Sequence, residues 1–219
     1  MKRLFDFLFS LLAILLFLPF GIVISLFLLI TGEHEVFYFQ PRIGKHAKEI
    51  KLIKFVTMQK NSPNIGAGDI TLKNDPRVLP FGRFLRKTKL NEFPQLFNVL
   101  IGQMSIVGPR PLVANQYNMI PKQYQKTINL VKPGLTSIGS IIFRDEEKYL
   151  IKNDDQSNQF YREEIVPYKA SVEDWYSHNH SFFMDIMIII FTIISIFSTT
   201  SILYKSYFNK LPKHKIFNN

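Results

Sequence analysis

The 219-residue chain carries 27 Lys and Arg against 17 Asp and Glu, a formal charge of +10, with 21 Phe and no Cys. The lack of cysteine excludes disulfides and thiolate metal sites, and the length suits one domain of moderate size plus membrane segments rather than a free soluble enzyme. A basic, aromatic-rich chain points to an anionic neighbour, and its scattered lysines, without stacking aromatics, a zinc motif or a recognition helix, argue against nucleic acid and for lipid.

Residues 4–31 are almost wholly apolar, interrupted by Asp6, Ser10, Pro19 and Ser25. As one helix the run would be ~42 Å long, enough to cross a bilayer core of ~30 Å. It is too long for a signal peptide and lacks a small-x-small cleavage site. Pro19 near its middle removes a helix hydrogen bond, and basic residues flank both ends, so spanning and re-entry both remain open from the residues alone.

Residues 36–40 and 50–58 read as short strands rich in β-branched and aromatic residues, joined by the polar turn 44–49. Lys54 lies in the second strand, where by itself it is an edge lysine facing water. Residues 61–75 form a loop bearing Gly, Asn, Asp and Pro.

Residues 88–111, TKLNEFPQLFNVLIGQMSIVGPRP, are the stretch around which the chain is organised. Asn91 is a good N-cap type, Glu92 falls where a helix dipole favours an anion, and Pro94 is tolerated in a first turn. Leu96, Val99 and Leu100 give one helical face, and Gly102 ends it. Gly108-Pro109-Arg110-Pro111 is a stiff turn carrying one guanidinium suited to a phosphate. By spacing alone this is equally a capped helix and a surface arginine.

Further on, residues 113–129 read as a helix, 132–134 as a turn and 137–144 as a buried strand. The acidic group 145–147 reads as a helix N-terminus, with contact to a metal or a sugar hydroxyl as the alternative. Residues 182–204 form a second oily run with Asp185 near its start. A basic tail follows, and a single span there would put basic segments on opposite sides. The run is therefore expected to lie in the interface or to pack on the domain.

The stretch resembles the core motif of the bacterial sugar transferases, the monotopic polyprenyl-phosphate phosphoglycosyl transferases. The resemblance rests on Leu85-Arg86-Lys87-Thr88, Glu92, Pro94-Gln95-Leu96, Asn98-Val99-Leu100, Met104-Ser105 and Val107 to Pro111. It extends to Gln40, Arg42, Gly44, Lys54-Phe55, Thr57-Met58, Asp75-Pro76-Arg77, Gly82, Pro133-Gly134-Leu135-Thr136, Arg144 and Ser181-Phe182 with Asp185.

The resemblance implies a mixed α/β, helix-rich fold with a short β-hairpin. Residues 1–32 would be a proline-broken re-entrant membrane helix, 33–181 a cytoplasmic catalytic domain, and 182–219 an interfacial hydrophobic helix with a basic tail. The family commonly has Ser before that proline, where this chain has Leu18. The implied reaction moves a sugar-1-phosphate from a nucleotide sugar, with UDP as the nucleotide, to undecaprenyl phosphate. That is the first membrane step of polysaccharide or glycoconjugate synthesis, at the cytoplasmic face of the bacterial inner membrane. A homodimer is compatible with this reading.

By motif position Glu92 is the implied Mg²⁺ ligand. Arg86, Arg110 and Arg144 are the phosphate and nucleotide contacts, with Lys54 and Asp185 as further pocket residues. Position 91, typically the nucleophilic aspartate of the family, is Asn91, whose amide lone pair is delocalised and uncharged. Four readings follow: Glu92 attacks, the lipid phosphate attacks directly, the member is weak or inactive and acts as a scaffold or regulator, or the residue is a substrate-trapping substitution. Val56 replaces an arginine of the strand motif. Ser-Ile-Gly-Ser-Ile-Ile-Phe-Arg replaces the usual residues after Pro-Gly-Leu-Thr, which implies a different sugar specificity.

Overall fold

Between Asp6 and Glu33 the chain carries no charge and is rich in Leu, a good helix former, and the first element is a 29-residue helix, α1 (Lys2–Ile30). Pro19 lies inside it, and the helix continues past Pro19 to Ile30. α1 is long and apolar enough to cross a membrane by length and composition. Asp6, Ser10 and Ile14 are buried at four-residue spacing and Leu28 is buried near the end of the helix, while Leu12, Leu16, Phe20 and Val23 are exposed. The computed structural model describes residues 1–65, 75–144, 159–197, 207–208 and 210–214. They fall into two units, one of Arg3–Arg42 and Ile50–Gly102, the other of Met1–Lys2, Ile43–Glu49 and Gln103–Asn219.

In the first unit, strands β1 (Phe37–Ile43) and β2 (Glu49–Phe55) form the expected antiparallel hairpin. Phe37 stacks on Phe55 at 5.6 Å. Leu28 of α1, Phe55 of β2 and Leu85 of α2 (Pro80–Lys87) make one core, with Ile24, Val36, Phe81, Leu90 and Phe93 packed around it. A buried bidentate pair fixes the chain before α2, with Arg77 donating to both oxygens of Asp75 at 2.9 and 2.6 Å and to the carbonyls of Ser62 and Ile65.

α3 (Gln95–Leu100) follows a 3-10 turn at Leu90–Glu92. This corrects the reading of Asn91 as an N-cap. Lys89 takes a left-handed φ of 61°, the turn closes over Asn91, and Pro94 occupies the cap position of α3 without a side-chain bond. Gly102, at φ 88°, follows the end of the helix as expected. The last carbonyls of α3 are capped by Arg3, which donates to Val99 O and Leu100 O at 2.7 Å each.

In the second unit, β3 (Ser105–Val107) and β4 (Gly134–Thr136) pair in parallel, Ser105 opposite Gly134 and Val107 opposite Thr136. Between them lie α4 (Ala114–Asn118) and α5 (Lys122–Ile128). The single helix expected over 113–129 is thus two, because Pro121 cannot continue the first. The strand expected over 137–144 is also corrected. Ser137 caps a short helix, α6 (Ile138–Ile142), by accepting from Ser140 N at 2.9 Å. The acidic group 145–147 and most of the loop 61–75 lie outside the described residues.

α7 (Val166–Asn179), led in by a π-helical turn at Tyr161–Ile165, buries Val166 and Ala170 with Ile120 in the core of this unit. α8 (Phe182–Phe197) covers the start of the second oily run. It buries Asp185, Ile188, Phe191 and Ser195 along one face and exposes Phe182, Phe183, Ile190 and Ile193 on the other. Thr192 of α8 shares a 2.8 Å hydrogen bond with Thr136 of β4.

Candidate active site

The site residues expected from sequence divide between the two units. Lys54, Arg86, Asn91 and Glu92 belong to the first, and Arg110, Arg144 and Asp185 to the second.

Within the first unit, Arg86 is set by backbone packing one turn earlier. A Cβ on Gly82 would lie 2.2 Å from Thr57 O, so only glycine lets α2 come this close. Four residues on, on the same helix face, Arg86 Nε donates to Thr57 Oγ1 at 2.8 Å. Burial pushes the half-buried guanidinium down from its ordinary pKa, while Asp75 and Glu92 pull it up and Arg77 opposes them. Arg86 and Glu92 are therefore close enough to interact as charges.

Asn91 is 8% exposed, and its Oδ1 is buried with no hydrogen-bond partner among the described residues. A buried amide oxygen without a partner is costly unless something else meets it. Beside it stands Glu92, half-buried. An amide oxygen and a carboxylate are both groups that Mg²⁺ takes, and it commonly uses one or two protein oxygens and fills the remaining positions with water and substrate phosphate. No group of three or more His, Cys, Asp or Glu that could hold a metal occurs among the described residues.

Lys54 Nζ donates to Gln40 Oε1 at 3.0 Å, and Arg42 donates to the same oxygen at 2.8 Å. Two cations thus converge on one neutral acceptor of the hairpin. Asn98, matched as a motif residue only, turns out to be structural. It is 1% exposed, accepts from Ile53 N at 3.0 Å and donates to Lys51 O at 2.8 Å, fastening α3 to β2.

In the second unit, two glycines allow the Pro-Arg-Pro turn to sit directly on β4. A Cβ on Gly134 would lie 2.1 Å from Gly108 N, and one on Gly108 would lie 2.2 Å from Lys132 O. Gly108 N donates to Thr136 O at 3.0 Å, and Gly134 N donates to Pro109 O at 2.9 Å. Arg110 projects from this turn exposed, beside a shallow cleft lined with Ile43, Leu112, Tyr117, Ile128 and Pro133. Arg144, past the end of α6, is also exposed.

Asp185 points inward. It accepts from Lys2 Nζ at 2.5 Å and from Tyr176 OH at 2.6 Å, and Lys2 also donates to Val107 O at 2.9 Å. Its charge therefore braces the strand that leads into the turn.

Glu173 of α7 was not singled out from sequence. Its buried carboxyl packs against the start of α6, where a Cβ on Gly139 would lie 2.3 Å from its Oε1, and burial pushes its pKa up to about 7. The local signal was the Ser-x-Gly-Ser spacing of Ser137, Gly139 and Ser140, which makes a capped helix start without a side chain at its second position.

Comparison with known proteins gives a match to the family described as bacterial sugar transferase over residues 1–199. A sugar transferase of Haemophilus influenzae is 32% identical over 86% of this chain and 39% of its own length. The undecaprenyl-phosphate galactose phosphotransferase of Salmonella typhimurium is 34% identical over 68% of this chain and 34% of its own length. The exopolysaccharide production protein ExoY of Rhizobium meliloti is 31% identical over 88% of this chain and 83% of its own length. The chain thus spans little more than a third of the first two relatives and most of the third.

Proposed function

Because the chain belongs to the bacterial sugar transferase family, we propose that it moves a sugar-1-phosphate from a UDP-sugar to undecaprenyl phosphate at the cytoplasmic face of the inner membrane. The donor's bond between the sugar-linked phosphorus and UMP breaks, a bond to an oxygen of the acceptor phosphate forms, and UMP leaves. The names of the Salmonella relative and of a Klebsiella pneumoniae UDP-glucose:undecaprenyl-phosphate glucose-1-phosphate transferase, 40% identical over 64% of this chain, support the reaction class.

The observation that carries the reading is the unpartnered, buried Oδ1 of Asn91 next to Glu92, in the charge field of Arg86. Such a group supplies oxygen donors and a cation for a diphosphate. Mg²⁺ bound there would neutralise phosphate charge as the bridging bond breaks. Arg86, held by Thr57, orients that charge. Arg110 and Arg144, both exposed, are assigned the phosphates and the nucleotide, and Lys54 the headgroup end of the acceptor. Asn91 cannot attack phosphorus through a delocalised amide lone pair. The acceptor phosphate therefore attacks directly, with Asn91 as a positioning oxygen. α1, proposed to enter one leaflet and return at Pro19, and the exposed apolar face of α8 would keep the chain at headgroup level among anionic lipids.

The test is UMP release from a panel of UDP-sugars with undecaprenyl phosphate and Mg²⁺, in detergent or lipid. Release that requires the acceptor, is abolished by Glu92→Gln and leaves no covalent sugar-phosphate on the protein supports direct transfer. Activity confined to Asn91→Asp would reject it. The chain would then be an inactive member acting as a scaffold, a reading that the amide at position 91 itself favours.

A further inference from the structure

We infer that the cleft beside Arg110 seats the base of the donor nucleotide, with Tyr117 and Asn129 meeting the base's polar edge while Arg110 meets the phosphates. The inference rests on the proposed UDP-sugar donor and deepens it, by naming the residues that select the base.

The walls of the cleft are fastened to one another before any ligand enters. Ile43 N donates to Leu112 O and His46 N donates to Asn129 O, each at 2.8 Å, so the hairpin turn is tied both to the residue after the arginine turn and to the end of α5. The side-chain amide of Gln125 donates to Tyr117 O at 3.2 Å and to Ile120 O at 2.9 Å, closing α4 onto α5. The Tyr117 ring packs against the buried core of Ile120, Val166 and Ala170, which fixes where its hydroxyl stands. The hairpin turn is held in a costly shape as well. His46 and Ala47 both take left-handed backbone, at φ 58° and 57°, a region that suits neither a β-carbon nor two residues in succession. Strain of this kind persists only where surrounding bonds impose it.

The chemistry of the cleft is divided. Ile43, Leu112, Ile128, Val131 and Pro133 give it apolar walls. Its polar side chains stand apart from these: Arg110, and the pair Tyr117 and Asn129, which also line it. Asn129 Nδ2 donates to Tyr117 OH at 2.6 Å. An amide offers two donors and an acceptor, and a phenol offers one donor and an acceptor. One bond between them therefore leaves a donor and an acceptor for a ligand, whichever way the amide is turned. A flat ring that fits between apolar walls, carries a ring N–H beside a carbonyl on its edge, and is joined to an anion suited to a guanidinium is a nucleotide. A free sugar would press hydroxyls against the apolar walls, and a lipid chain would leave the Tyr117–Asn129 pair and Arg110 unmet.

The experiment measures equilibrium binding of UDP and of pyrophosphate, each with Mg²⁺, to the full chain in detergent, for wild type, Tyr117→Phe, Asn129→Leu and Arg110→Ala. Tyr117→Phe and Asn129→Leu are each expected to weaken UDP about tenfold and to leave pyrophosphate within about twofold of wild type. Arg110→Ala is expected to weaken both. In turnover, the first two variants should raise the UDP-sugar KM about tenfold with kcat little changed. If Asn129→Leu does not fold, Tyr117→Phe, which removes one oxygen and keeps the ring in its core, carries the same test. Equal losses of UDP and pyrophosphate in Tyr117→Phe, unchanged UDP affinity in both variants, or a wild type that binds UDP no more tightly than pyrophosphate would overturn the inference. A wild type that binds UDP with this selectivity and releases no UMP would instead overturn the transferase reading, and the base seat would stand.

Discussion

Lys2 and Asp185 form an ion pair at 2.5 Å between the first turn of α1 and the first turn of α8, with the carboxylate side chain 4% exposed and the ammonium side chain 34%. Tyr176 completes the carboxylate, and Val107 O takes a further bond from Lys2. Removing one partner of a buried pair strands the other charge, whereas removing both does not. Lys2→Met is expected to destabilise by ~2 kcal/mol, less than for a fully buried pair because Lys2 is part-exposed. Asp185→Asn in the Lys2→Met background is expected to recover part of that loss. Thermal unfolding of the two single variants and the double variant measures the coupling, and strict additivity would show that the pair is not energetically linked.

Gly82 is expected to tolerate no side chain. Its Cβ would fall 2.2 Å from a backbone oxygen, which cannot rotate away. Gly82→Ala must therefore lift α2 from Thr57 and break the Arg86–Thr57 bond. The expected result is a loss of ~2 kcal/mol or more in stability together with a large fall in UMP release. Thr57→Val, which removes only the acceptor of Arg86, should lower activity while leaving most of the stability. Denaturant midpoints and initial rates on the two variants separate packing from guanidinium orientation.

Asn98→Leu replaces an amide that satisfies Ile53 N–H and Lys51 C=O at once. Both backbone groups would lose their partner, at about 1–3 kcal/mol each where water cannot reach them. Asn98→Asp should fall in between, because a carboxylate still accepts from Ile53 but meets Lys51 O with a second acceptor. Urea midpoints ordered wild type, Asp, Leu are the expected outcome, and an Asp variant less stable than Leu would indicate that charge burial outweighs the retained bond.

The elements that a sequence reads well here are those whose signal is local. The charge-free run made α1 visible, and β-branched and aromatic residues about a polar turn marked the hairpin. Gly102, at positive φ, marked the end of α3. Where the signal was ambiguous, tertiary context decided. The Ile-rich run after Thr136 has strand composition, yet Ser137 capping and the bare Gly139 make it helical. Asn91 has the chemistry of a cap, yet Lys89 in the left-handed region turns the chain so that Asn91 is buried instead. Pro121 divides the run 113–129 into two helices. Glu173 was not legible at all, because its carboxyl lies against Gly139, 34 positions away along the chain, and no local pattern encodes such a pairing.

The carboxyl of Glu173 also makes stability depend on pH in a direction opposite to that of most paired carboxylates. In the unfolded chain it ionises near 4.5, whereas burial holds it protonated until about 7 in the folded protein. Between these values the folded state binds more protons than the unfolded state, so stability falls as pH rises through the window. The contribution is fully present below about 4.5 and lost above about 7, a change on the order of 3 kcal/mol. Glu173→Gln has no proton to lose and should flatten this part of the profile, with its advantage over wild type growing from pH 5 to pH 8. Urea midpoints of the two proteins across that range measure it. Parallel profiles would mean that the carboxyl ionises in the folded protein at its ordinary pH, and that the pull of its polar surroundings offsets its burial.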